Sequence, residues 1–150
     1  MLFKKNKKFH IDTLIDKGMV IKGNTVVTGG VRLDGKIYGN LTIKGIDGSL
    51  IMGQGSLVDG NITVASAIIG GQVNGDIKSS DYLEFHDGAK INGNIEYKII
   101  EVQHGSILNG RLKQLTKTES KKIEKSIINN NLKKQIGRNN GKWNFNARTC

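Results

Sequence analysis

Ile91-Asn92-Gly93-Asn94-Ile95 decides how the rest of the chain is read, because five relatives of it occur elsewhere. They are Ile21-Lys22-Gly23-Asn24-Thr25, Ile37-Tyr38-Gly39-Asn40-Leu41, Val58-Asp59-Gly60-Asn61-Ile62, Val73-Asn74-Gly75-Asp76-Ile77 and Leu108-Asn109-Gly110-Arg111-Leu112. Their glycines fall at 23, 39, 60, 75, 93 and 110, in steps of 16, 21, 15, 18 and 17 residues. Self-similarity at so short a period marks a solenoid.

The intervals between these glycines repeat as well. Leu83-Glu84-Phe85-His86-Asp87-Gly88-Ala89-Lys90-Ile91 aligns with residues 100–108 and with residues 50–58. Each copy has apolar residues two apart, a turn containing glycine, and apolar residues again, which is the period of a strand. Leu33-Asp34-Gly35-Lys36-Ile37 and Ile69-Gly70-Gly71-Gln72-Val73 close in four residues what the others close in six. Such a unit cannot bury its own apolar face, but stacked copies can. The reading is an all-β chain, a single parallel β-helix of about six coils and about 30 Å in length if coils are spaced like strands in a sheet.

The rest of the composition agrees. Twenty glycines and no proline suit many tight turns between unbroken ladders of backbone donors. The single cysteine, Cys150, supplies no disulfide framework and fits a reducing compartment. No long apolar run follows the first lysines and none approaches the roughly 18 apolar residues of a membrane span, so a cytoplasmic protein is expected.

The net charge of +10 is unevenly placed: +4 over residues 1–22, −3 over 23–110 and +9 over 111–150. The chain thus divides into a head (1–10), a mildly acidic β-helix (11–112) and a basic tail (113–150). In the head, Leu2, Phe3 and Phe9 stand among Lys4, Lys5, Lys7 and Lys8. Charge runs at termini are usually solvated, but apolar anchors beside lysines suit an anionic membrane surface. Alone such a peptide binds weakly, so stable attachment requires many copies on one assembly. In the tail, Ile123, Ile127, Ile128, Leu132 and Ile136 fall near helical spacing over 119–136, while Asn129-Asn130-Asn131 disfavours a stable helix; a flexible tail is expected.

The lead-in Ile11-Asp12-Thr13-Leu14-Ile15 with Gly18 and Gly23 resembles the bactofilins, as do residues 33–40, 70–77 and 105–111. The resemblance covers about residues 11–112. It implies a right-handed parallel β-helix, a bacterial cytoskeletal protein whose molecules join end to end into filaments without nucleotide or other cofactor. It also implies association with the inner membrane through a short N-terminal peptide, here residues 1–9, and roles in cell shape or in positioning envelope and peptidoglycan machinery. Self-association, anionic inner-membrane lipids and cell-wall enzymes or other envelope proteins are therefore the expected partners. Residues 44–49 depart from the pattern and lengthen one corner.

Polymerisation is also expected on physical grounds. A β-helix leaves backbone groups and a core cross-section open at each end. Contacts between such ends that do not close produce filaments. Leu14 and Ile15 are placed near one end, and Ile100, Val102, Leu108 and Leu112 near the other.

No constellation for catalysis stands out, and no enzyme is expected. His86 aligns with Gln103 and His104 with Asp87, so the histidines do not stack and read as surface turn residues. Gly53-Gln54-Gly55 lacks the rest of a dinucleotide motif, and no phosphate-binding Gly-Lys-Ser/Thr occurs. Two other readings stay open. Met52-Gly53-Gln54-Gly55-Ser56-Leu57 faintly matches a hexapeptide-repeat acyltransferase, but no strict six-residue subrepeat supports it. The basic tail, with Trp143 and Phe145, is compatible with nucleic acid, which ranks below self-association and lipid as a partner.

Overall fold

The computed structural model describes residues 9–128. Within them, strands β1 (Thr13–Ile15), β2 (Val20–Lys22), β3 (Thr25–Leu33), β4 (Lys36–Tyr38), β5 (Leu41–Met52), β6 (Leu57–Asp59) and β7 (Ile62–Ile69) form the first coils. They are followed by β8 (Gln72–Asn74), β9 (Ile77–Phe85), β10 (Lys90–Asn92), β11 (Ile95–Tyr97), β12 (Ile99–Val102), β13 (Ile107–Asn109) and β14 (Leu112–Gln114). A helix, α1 (Lys117–Ile128), closes the described chain. Every strand pairs in parallel with its counterpart one coil away, as the repeat alignment requires.

The short strands make one six-stranded sheet in the order β13-β10-β8-β6-β4-β2, and all the others make an eight-stranded sheet. The long strands β3, β5, β7 and β9 each run through a bend, where the pairing register shifts between Thr28 and Gly30, between Thr42 and Ser49 and between Val64 and Ser66. In the fifth coil this strand is broken into β11 and β12 at Lys98. The eight-stranded sheet therefore supplies two faces of a prism and the six-stranded sheet the third. The lengthened corner expected at 44–49 lies on the bend edge, where Lys44 pairs with Thr28 and Ser49 with Gly30, so that Gly29 alone faces residues 45–48.

Alternate residues of each face point inward and stack in columns: Ile37, Val58, Val73 and Ile91 on one face, Leu33, Met52, Ile69 and Phe85 on another, all essentially inaccessible to solvent. Burying a side chain of this size stabilises by about 1.5–3 kcal/mol, so the core is many small equal contributions repeated along one axis.

The glycine that marks each repeat is required by coil spacing. A Cβ at Gly39, Gly60, Gly75, Gly93 or Gly110 would lie 1.9 to 2.2 Å from the carbonyl oxygen of the glycine one coil earlier. The residue after it builds a ladder. The side-chain oxygens of Asn24, Asn40, Asn61, Asp76 and Asn94 each accept the backbone N–H of the counterpart residue in the next coil, at 2.9 to 3.2 Å.

One expectation is corrected. Residues 113–128 are not a flexible extension: β14 continues the last coil, and α1 packs back along the solenoid against β9, β7 and β5. Ser120 and Ile127 are buried and Ile123 is half-buried, and the Ser120 hydroxyl donates to the Ser80 carbonyl at 2.6 Å. The bend edge accepts a helix because its residues there are small: Ser49, Ala65, Ser66, Ser79 and Ser80 are all buried. Asn129-Asn130-Asn131, read as arguing against a helix, lie outside the described residues.

Candidate self-association ends

A parallel ladder satisfies each strand only through its neighbours along the axis, so the first and last coils keep unpaired backbone groups. At the C-terminal end, Ile100 pairs in register with Leu83, Val102 with Phe85, Leu108 with Ile91 and Leu112 with Ile95. The four earlier residues are buried at 0 to 2% exposure, whereas Val102 is 48% and Leu112 49% exposed, and Ile100 and Leu108 are half-buried. The four expected residues thus converge on one surface. They occupy core columns and are open because, among the described residues, no coil lies over them. Helix α1, a possible cap, instead turns away along the flank.

The N-terminal end divides the two residues expected there. Ile15 lies on the column of Leu33 and is buried at 4% exposure, while Leu14, paired with Arg32, points outward and is 57% exposed. The remaining members of this end layer are Ile21, in register with Ile37, and Val27, in register with Ile43, both half-buried against the core. They were not singled out from sequence. The signal for Ile21 was present, since it precedes Gly23 as Leu108 precedes Gly110.

Of the head, Leu2, Phe3, Lys4, Lys5, Lys7 and Lys8 lie outside the described residues. Phe9 is half-buried where the described chain begins.

A cluster of titratable side chains lies on the outer face of β9 and β12. The Tyr82 hydroxyl meets the Glu84 carboxylate at 2.5 Å and the Glu101 carboxylate at 2.8 Å, and Glu84 also contacts His86 and accepts from Gln103. Burial first, and then these two carboxylates, push the Tyr82 phenol above its ordinary value. His104 lies on the following corner, so the histidines do not share a site. Beside the network an open groove of about 430 Å³ lies over the short corner at Gly70, with Ile51 and Ile68 in its floor. Among the described residues no group of three or more His, Cys, Asp and Glu side chains is placed to hold a metal ion. Nor is any helix among them long and apolar enough to cross a membrane.

No curated protein and no solved structure matches the chain. Residues 13–113, which span the solenoid from its first strand to its last, match the family model described as "Bactofilin: Polymer-forming cytoskeletal". With the stacked coils and the open apolar layer at Ile100, Val102, Leu108 and Leu112, that match leads to one conclusion: the chain belongs to the bactofilin family of polymer-forming cytoskeletal proteins.

Proposed function

We propose that this protein is a cytoskeletal scaffold that assembles end to end, without nucleotide, into filaments on the cytoplasmic face of the inner membrane. There it supports cell shape or positions envelope and peptidoglycan machinery. The observation that carries the reading is the open C-terminal layer, in which side chains on core columns remain half in water. Covering them with the end of another molecule removes about 25 cal/mol per Å² of apolar surface from solvent. The new layer also pairs the free backbone groups of the last coil. End contacts that do not close on themselves propagate into a filament.

Attachment to the membrane is assigned to the head, with Leu2, Phe3 and Phe9 as apolar anchors and Lys4, Lys5, Lys7 and Lys8 attracted to anionic lipid. Each lysine near such a surface contributes about 1 kcal/mol. A filament multiplies weak contacts into stable binding. Negative-stain microscopy of the purified chain without nucleotide tests assembly, and filaments are expected. A protein that stays monomeric at high concentration and ordinary salt overturns the scaffold reading. Co-sedimentation with anionic vesicles, comparing the full chain with one lacking residues 1–9, tests the head.

A further inference from the structure

We propose that the bend edge of the solenoid, carrying α1, is the side that lies on the membrane, with the outward lysines of α1 forming a second, lateral contact to anionic lipid headgroups. The inference rests on the membrane-filament reading and adds which face of the filament meets the bilayer.

Two independent placements converge on this edge. The first is the helix. Its buried side, Ser120, Ile123 and Ile127, is turned to the solenoid, which leaves Lys121, Lys122 and Lys125 exposed on the side away from it. Glu124, the acidic residue among them, is partly buried. Because α1 starts beside β9 and reaches β5, its length of about 18 Å runs along the filament axis. The second is the exit of the head. The Asp12 N–H donates to the Gly30 carbonyl at 2.8 Å and the Gly30 N–H to the Asp12 carboxylate at 2.9 Å. The His10 carbonyl lies so close to Gly30 that a Cβ there would come within 1.5 Å of it. Gly29 and Gly30 are the bend of the first coil, so the chain of the head departs from the same edge that carries α1 further along.

The outer side of α1 is complementary to an anionic surface, while Asp12, Asp47 and Asp81 stand on the bend beside it, and the occupant is lipid rather than nucleic acid because apolar groups accompany the lysines. Ile46, at the tip of the lengthened corner on this edge, is 57% exposed, and the head brings three large apolar side chains by sequence. Apolar groups of this kind gain from an acyl boundary and contribute nothing to phosphate contacts on a duplex. The filament ends are occupied in assembly, which leaves only flanks to meet a bilayer.

The test uses the full chain with vesicles of mixed phosphatidylglycerol and phosphatidylcholine, and with phosphatidylcholine alone. Lys121→Glu/Lys122→Glu/Lys125→Glu is expected to assemble as the parent does by microscopy and to bind anionic vesicles at least about tenfold more weakly at low salt. In a chain lacking residues 1–9, salt-sensitive binding to anionic vesicles is expected to persist, and to disappear when the three lysines are reversed. Normal binding by the triple variant overturns the lateral contact while leaving the head's role intact. Equal binding with and without the head overturns the head instead. An environment-sensitive dye on Ile46→Cys, in a Cys150→Ser chain, is expected to shift to the blue on anionic vesicles, while the same dye on Asp59→Cys, across the prism, is not. A shift at Asp59→Cys alone places the opposite face on lipid and overturns the proposal, as does lysine-dependent binding to a duplex oligonucleotide with none to vesicles.

Discussion

The side-chain oxygen of Asn94 accepts the backbone N–H of Arg111 at 3.2 Å, and there the corner ladder ends, because arginine has no acceptor to offer a following coil. Five such bonds run from Asn24 to Arg111, and all of the asparagines in them are exposed. Water can therefore replace a lost acceptor. Asn61→Ala is expected to cost about 1 kcal/mol in a denaturant titration, measured in an assembly-deficient background so that unfolding is not coupled to polymer. A loss of more than about 3 kcal/mol contradicts the idea that the ladder guides register rather than supplying most of the stability.

The glycine beside that ladder behaves differently. At Gly75 an added methyl group would sit 2.2 Å from the Gly60 carbonyl oxygen, a backbone atom that moves only if two coils separate. Gly75→Ala is expected to destabilise by about 3 kcal/mol or more, combining overpacking with a strained φ of 158°. Gly18 faces open space and has no such constraint, so Gly18→Ala should stay within about 0.5 kcal/mol of the parent. Equal effects at the two positions, read from thermal unfolding, exclude close coil approach as the cause.

Leu108 and Ile107 separate the end of the core from its outer surface. Leu108 continues the column of Ile91, while its neighbour Ile107 is 52% exposed and pairs with the outward Lys90. Leu108→Arg puts a guanidinium into the proposed apolar joint, where an unpaired charge costs several kcal/mol, or a few powers of ten in association. Short soluble species are expected by sedimentation and microscopy, with Ile107→Arg still forming filaments. Undiminished filaments from Leu108→Arg remove this end from the assembly.

Much of this architecture is legible in the chain because a solenoid writes its contacts at a fixed period. The aligned segments at 50–58, 83–91 and 100–108 lie in register in three dimensions, since each apolar position must face the same column. The short corners at Asp34-Gly35 and Gly70-Gly71 and the long one at 44–49 are equally visible, because insertions in a solenoid can go only into turns. The helical spacing of Ile123 and Ile127 is legible, but the docking of the helix is not, for a local reason. Its capping box, Thr116-Lys117-Thr118-Glu119, stands outside the repeat, and the small residues that receive it are scattered over the corners of several coils. The split of Leu14 from Ile15 was missed because the strand period was not followed into β1, where adjacent residues must face opposite ways.

That capping box also makes the helix acid-sensitive. The Thr116 hydroxyl accepts the Glu119 N–H at 3.1 Å, and the Glu119 carboxylate accepts the Thr116 N–H at 2.9 Å and a bond from the Lys113 ammonium at 3.1 Å. The Thr116 N–H first, and then Lys113, hold the Glu119 carboxyl below its ordinary value. A carboxylate depressed in the native state stabilises it above the unfolded pKa, and that contribution is lost as pH falls through the native one. The start of α1 should therefore loosen below about pH 4, the ordinary glutamate range, with lower amide protection at Glu119 and Ser120 once the slower intrinsic exchange in acid is divided out. Core strands such as β7 should remain protected there. Glu119→Gln keeps the capping geometry but cannot ionise, so the protection of these two amides should lose its step on acidification. A step of the same size in that variant assigns the acid sensitivity to another carboxylate.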